Sequence, residues 1–318
     1  RWLITTAEKL GGTTVQSDKV IRFWDLYANS PNESPIILEG FNDELVGVAV
    51  SPDGHWLGAG SADQTARLWY LRDETEKSSL TAMVANPLAL PAHENGILTT
   101  AISQDNHWLA TGSADNTTRL WDLSTISMTP LGSQSISYHV LTGQEEQIYT
   151  LAFSKDSRWL ATGSDDFTVY LWDLNRSDFA DEPFILPDHK GYINVVDFSP
   201  DSHWLVTASS DNTARLWDLT SENPSLSSIV LEGHDHSVVS AAFSRDNRWL
   251  MTGSNDAVIR LWDLTSADPS QASILLEGHT RQILAADFSA DGRWLVTGSA
   301  DGTARLWDLQ ATPTSSLQ

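Results

Sequence analysis

Imidazole, hydroxyl and carboxylate are the groups in this sequence able to do chemistry, because it holds nine His and no Cys. Disulfides, thiolate nucleophiles and thiolate metal sites are therefore absent. His189, Thr207 and Asp211 are the ingredients of a hydrolytic triad. The same set returns at His93, Thr111 and Asp115, at His234, Thr252 and Asp256, and at His279, Thr297 and Asp301. Repetition argues against catalysis, which needs one pocket, one exposed nucleophile and one oxyanion site. A Trp follows each set (Trp121, Trp217, Trp262, Trp307), and an indole partner implies burial. Metal motifs, phosphate loops and nucleophile elbows do not occur, so no cofactor and no metal are expected.

The net charge of the 318 residues is −23. Such a chain repels phosphate backbones, so nucleic acid is not an expected partner. A basic partner is the natural counterpart, but much of the acidity is turn chemistry. One Asp per unit stands in a tight turn: Asp18, Asp63, Asp115, Asp166, Asp211, Asp256 and Asp301. No apolar run reaches the length of a membrane span, and Arg1 to Thr6 do not read as a signal peptide. A cytoplasmic location is the expectation.

These groups sit on a repeat. The segment from Trp204, WLVTASSDNTARLWDL, recurs as WLMTGSNDAVIRLWDL from Trp249 and WLVTGSADGTARLWDL from Trp294. Earlier copies start at Trp159, Trp108 and Trp56, and an interrupted one at Trp2. All 14 Trp fall at two positions of this unit. The copies define hairpins at 2–26, 56–71, 108–123, 159–174, 204–219, 249–264 and 294–309. Each unit reads as four short strands separated by turn residues, without a helical period. A four-stranded sheet with two apolar faces must be covered by its neighbours. One domain over 1–318 is expected.

The pairs Gly233-His234 and Gly278-His279, with six Trp-Asp pairs, resemble the WD-repeat family over nearly the whole chain. Near-identical units ending in RLWDL look bacterial. The resemblance implies an all-β, seven-bladed propeller of four-stranded antiparallel blades, with the first or last blade incomplete and the chain part of a longer one. It also implies a buried tetrad per blade: His93, Thr111, Asp115 and Trp121; His189, Thr207, Asp211 and Trp217; His234, Thr252, Asp256 and Trp262; His279, Thr297, Asp301 and Trp307. Phe41 and Gln144 stand where His is expected, and Ala59 replaces Thr. Blades 1, 2 and 4 are therefore expected to be less rigid than blades 5 to 7. Arg22, Arg67, Arg119, Arg215, Arg260 and Arg305 recur two residues before the second Trp. Stacking on a neighbouring indole is the expected role, ahead of a phosphate-binding ring.

For function the resemblance implies a partner face where the His loops and tight turns converge. Its residues would be Glu44, Val46, Leu98, Gln147, Tyr149, Tyr192, Asn194, Ser237, Val239, Gln282 and Leu284, with Asp165 from a tight turn. Tyr149 and Tyr192, from adjacent blades, have the character of interface anchors. Insertions at 8–15, 72–91 and 124–142 are further candidates. The expected function is a non-catalytic scaffold or sensor that binds a protein or peptide, basic in one version, and regulates a fused effector domain. Alternatives are a propeller enzyme with carboxylates lining the channel, for which Glu44 and Asp165 qualify, and a purely structural propeller.

Overall fold

The computed structural model describes residues 2–5, 19–25, 35–71, 87–126 and 136–310. These fall into two compact units, Arg1–Gly143 and Gln144–Gln318. The first carries three antiparallel sheets and the second four, here called blades 1 to 7 in chain order. No α-helix occurs among the described residues; three single 3-10 turns do.

Blade 5 shows the plan. Its inner strand is Ile193–Phe198, followed by Trp204–Ser209, Ala214–Asp218 and the outer strand Ile229–Leu231. Each pairs antiparallel with the next. Blades 2 to 6 all have four strands. Blade 1 has three, Trp2–Thr5, Ile21–Asp25 and Ile36–Leu38. Blade 7 also has three, Ile283–Phe288, Trp294–Ser299 and Ala304–Asp308. The expected all-β sheets and their count are therefore present, with four strands only in the middle five. Ser17, Asp18, Leu26, the insertion 8–15, and residues 72–86 and 127–135 lie outside the described residues.

The second strands are buried along nearly their whole length rather than at alternate residues. In blades 2 to 6 both faces are covered, so the usual in–out alternation is lost, whereas in blade 7 the strand Trp294–Ser299 alternates and Val296 and Leu306 are exposed. Apolar clusters span neighbouring blades. Val206, Leu216 and Leu231 of blade 5 pack with Val238, Leu250 and Trp262 of blade 6. Ile21, Phe23 and Leu38 of blade 1 pack with Leu45, Leu57 and Trp69 of blade 2. Trp69, Trp121, Trp172, Trp217 and Trp262 are among the largest fully buried side chains.

The other Trp lies nearer the surface in blades 2, 3, 5, 6 and 7, and in blades 3 to 7 the preceding His or Arg stacks on it. His203 lies flat on Trp204 at 4.6 Å, and Arg158 stacks over Trp159 at 4.4 Å. The arginines at this position also reach the Asp that ends the third strand, as in Arg158–Asp173 at 2.7 Å and Arg293–Asp308 at 2.8 Å. Blade 2 lacks that Asp. There Tyr70 stacks with His55, and His55 pairs with Asp53 at 3.0 Å.

The turn after each inner strand is closed by one hydroxyl. Ser199 Oγ donates to Asp201 Oδ1 at 2.6 Å and accepts the Trp204 N–H at 2.8 Å. Adjacent turns are tied together: the Asp201 N–H donates to Asn247 Oδ1, and the Asp156 N–H to Ser202 Oγ. Ser199 is fully buried. Replacing Ser199→Ala strands the Trp204 N–H and is expected to cost about 1–3 kcal/mol. Urea unfolding checks this; an unchanged midpoint refutes the role of the hydroxyl.

Candidate functional site

Each tetrad is ordered by what its members can donate. The indole Nε1–H only donates, and in blade 5 Trp217 gives it to Thr207 Oγ1 at 3.0 Å. The Thr207 hydroxyl proton is then free to donate to His189 Nε2 at 2.8 Å. His189 therefore carries its proton on Nδ1 and donates it to Asp211 Oδ2, also at 2.8 Å. Asp211 accepts three further bonds, from the Lys190 N–H, the Thr213 N–H and the Thr213 hydroxyl.

The same chain runs through the other three predicted sets. In blade 3 the contacts among His93, Thr111, Asp115 and Trp121 are 2.8, 2.9 and 3.2 Å. In blade 6 His234, Thr252, Asp256 and Trp262 meet at 2.9 Å throughout. Blade 7 joins His279, Thr297, Asp301 and Trp307 at 2.9, 2.9 and 3.0 Å. All four Thr are fully buried, which removes them as nucleophiles.

Where the sequence departs from the set, the geometry changes. In blade 4 Gln144 accepts the Thr162 hydroxyl at 2.8 Å and donates to the Thr162 carbonyl, and no hydrogen bond joins it to Asp166. In blade 2 Phe41 packs against Trp69 at 6.2 Å, and Asp63 keeps the Asn42 N–H. Blade 1 retains Trp24 donating to Thr5 at 2.8 Å.

The recurrent arginines differ from the sequence expectation. Their main contact is a carbonyl rather than an indole. Arg215 donates to the Asp188 carbonyl, Arg260 to Gly233, Arg305 to Gly278 and Arg119 to Pro91. Arg260 also lies over an indole, at 6.0 Å from Trp262, while Arg67 lies over Phe41 at 4.5 Å and Arg119 over Tyr138 at 5.5 Å. Gly233 and Gly278 take φ values of +118° and +140°, and a Cβ there would run into the guanidinium at 2.7 Å. Glycine thus suits this position by φ and by space in blades 6 and 7, while blade 5 holds Asp188 there at φ +89°.

The predicted partner-face positions share a backbone device. In blades 2 to 7 the pairing of the inner strand slips by one residue, and the residue passed over is Val46, Leu98, Tyr149, Asn194, Val239 or Leu284. A bulged residue is released from the ladder and its side chain is re-aimed. Tyr149 is 55% exposed and Leu284 42%. Asn194 is held instead, donating to Ser210 Oγ and to the Val238 carbonyl of the next blade. Val239 is half-buried. In the first unit Glu44, Val46 and Leu98 are half-buried.

The residues before the inner strands vary more. Gln147 donates to Asp165 at 2.6 Å, which fixes both side chains. Ser237 is half-buried and Gln282 exposed. Tyr192 is 53% exposed, and its ring meets Phe167 at 5.5 Å rather than Tyr149. Phe167 was not anticipated. It occupies the tight turn of blade 4 at φ +72°, where blades 3 and 5 have Asn116 and Asn212. An aromatic residue is disfavoured at such a φ, and this one is 39% exposed. The clue in the sequence was an aromatic residue at a position otherwise filled by Asn, Gln, Ala, Gly or, in the first copy, Lys19.

Among the described residues, no group of three or more His, Cys, Asp or Glu could hold a metal ion. No helix there is long and apolar enough to cross a membrane.

The model of the family "WD domain, G-beta repeat" matches six segments, 33–70, 86–122, 135–173, 181–218, 226–263 and 270–308. This chain belongs to the WD-repeat family. With that, its seven sheets are the blades of a seven-bladed WD-repeat β-propeller. It is 32% identical over 120 residues to Striatin-4 of Homo sapiens, which covers 37% of this chain and 16% of that protein. It is 30% identical over 137 residues to Protein tipD of Dictyostelium discoideum, covering 43% of this chain and 19% of that one. The similarity thus spans less than a fifth of either relative. WD-repeat proteins generally act as scaffolds for protein interaction.

The tetrads predict an acid response. Burial holds His93 and His234 below the usual imidazole range, although Asp115 and Asp256 pull the other way. Burial pushes the Asp115 and Asp256 carboxyls up, but their hydrogen bonds win and the net shift is downward. Both shifts mean that the unfolded chain takes up protons first. The His part of the stability is lost as pH falls below the unfolded value of 6.5, and the carboxylate part below 3.8. His234→Gln, copying blade 4, is expected to be less stable at pH 7.5 but to lose less between pH 7.5 and 5. Urea titrations at the two pH values test this, and equal losses reject it. Amide exchange should also be slower across blades 5 to 7 than across blades 2 and 4; equal protection would overturn the rigidity attributed to the complete tetrad.

Proposed function

We propose that this chain is a non-catalytic scaffold or sensor whose second unit binds a protein or peptide at the tight-turn end of its blades. The observation that carries this reading is the exposed ring pair Tyr192–Phe167, with the exposed Tyr149 on the inner strand of the blade that carries Phe167. Two of these three rings stand where the backbone departs from regular pairing, at a bulge and at a positive φ. Exposed rings on a stiff support lose little freedom on binding, which makes them effective anchors. Gln147 and Asp165 supply fixed polar groups beside them. A basic segment suits the acidic chain, and regulation of an attached effector domain in the cytoplasm completes the reading.

The enzyme alternative is less well supported, because Asp165 is engaged by Gln147 and the hydroxyls of the tetrads are buried.

Affinity capture from an extract of the source cells tests the proposal, comparing wild type with Tyr149→Ala/Tyr192→Ala. Both rings are half exposed, so the melting temperature should not change. Loss of at least one partner is expected, with its affinity reduced roughly thirty-fold or more if either ring is an anchor. Equal recovery of every partner by the two proteins refutes the proposed face.

A further inference from the structure

The opposite ends of the inner strands of blades 5, 6 and 7 enclose a cavity of about 540 Å³ in the second unit. Its walls carry Asp197 and Asp287, at the same place on their strands, with the small Ala242 between them. Lys155 and Arg245 come from the turns that follow the inner strands of blades 4 and 6. Acid and base thus alternate: carboxylates on blades 5 and 7, cations on blades 4 and 6.

The four charges are not matched to one another. Carboxylates elsewhere in these blades are committed, as Asp211 is to four donors and Asp173 to Arg158. Asp197 accepts only the Phe198 N–H, on Oδ1 at 2.9 Å. Among the described residues, neither Asp197 nor Asp287 forms an ion pair with Lys155 or Arg245 within 4.0 Å. Asp197 is the most enclosed of the four; the others are exposed at the rim. Burial pushes its carboxyl up to about 6, against the pull of the Phe198 N–H and Lys155 and with the push of Asp287. Two carboxylates at the wall and two cations at the mouth leave favourable electrostatic interactions unmade. The volume is that of a small-molecule site.

We propose that this cavity binds a small zwitterion of the arginine type, its guanidinium or ammonium head between Asp197 and Asp287 and its acid group at Lys155 and Arg245. The head supplies a counter-ion to the half-buried Asp197 and to the exposed Asp287 by charge-assisted hydrogen bonds. The rim cations then select against ligands that carry positive charge alone. This site is independent of the partner face and lies at the other end of the inner strands.

Calorimetric titration of the whole chain with L-arginine at low ionic strength tests the assignment, with agmatine, which lacks the carboxylate, as the comparison. Saturable binding is expected, with a Kd on the order of 1 mM or tighter, and weaker binding of agmatine. Asp197→Asn and Asp287→Asn keep the shape and should each weaken L-arginine roughly ten-fold. Lys155→Ala, at an exposed rim position, should weaken L-arginine and strengthen agmatine, so that the preference for L-arginine narrows. The proposal is overturned by the absence of saturable L-arginine binding to wild type, by unchanged affinity in Asp197→Asn, or by equal affinity for agmatine and L-arginine.

Discussion

The tight-turn Asp, which accepts four hydrogen bonds in blades 3, 5 and 7 and three in blade 6, is the contact on which the rest of each complete blade depends. In blade 5 the single carboxylate of Asp211 closes the turn through Thr213, holds the loop through Lys190 and fixes the His189 tautomer. That tautomer makes the Thr207 hydroxyl point its proton at the ring, which leaves its lone pair for Trp217. Four elements of one sheet are thereby held by groups that are each satisfied. In a buried setting an unmet partner costs more than a met one contributes, so the chain acts as a unit. Gln144 shows the partial solution: it satisfies Thr162 and leaves the Asp to the backbone.

With the polar atoms of the tetrads committed to holding strands together, chemistry and recognition are left to positions where the copies differ. The bulge in each inner strand provides one such position per blade, and the residue after the tight-turn Asp provides another. The ends of the inner strands provide a third, filled by Asp197, Ala242 and Asp287 in three successive blades. The scaffold repeats while its surface changes from blade to blade.

Much of this was readable from the sequence because it resides in residue type and interval. The Trp positions located every hairpin, and the His, Thr, Asp and Trp of four blades meet as their spacing implied. What the sequence concealed depends on backbone path or on neighbouring copies. The inner-strand bulge leaves no residue signature, since Val46, Leu98, Tyr149, Asn194, Val239 and Leu284 have nothing in common. The pairing of Phe167 with Tyr192 joins two blades. The recurrent arginines looked like stacking partners by type, yet they also bond a carbonyl one or two residues before the His, and the closest stacking on the first Trp of a unit is by Arg158, Arg248 and Arg293. Asp197 and Asp287 were passed over because each, read within its own copy, resembles one more turn-side acid.

The bulge has a consequence for how such a chain can change over generations. A residue outside the ladder contributes no backbone pairing that depends on its identity, so Tyr, Asn, Val and Leu are interchangeable there without loss of the sheet. A population can therefore sample new surfaces at that point while the folding information in the remaining copies stays intact. Duplication of a blade would add one more such freely variable address at no cost to those already present.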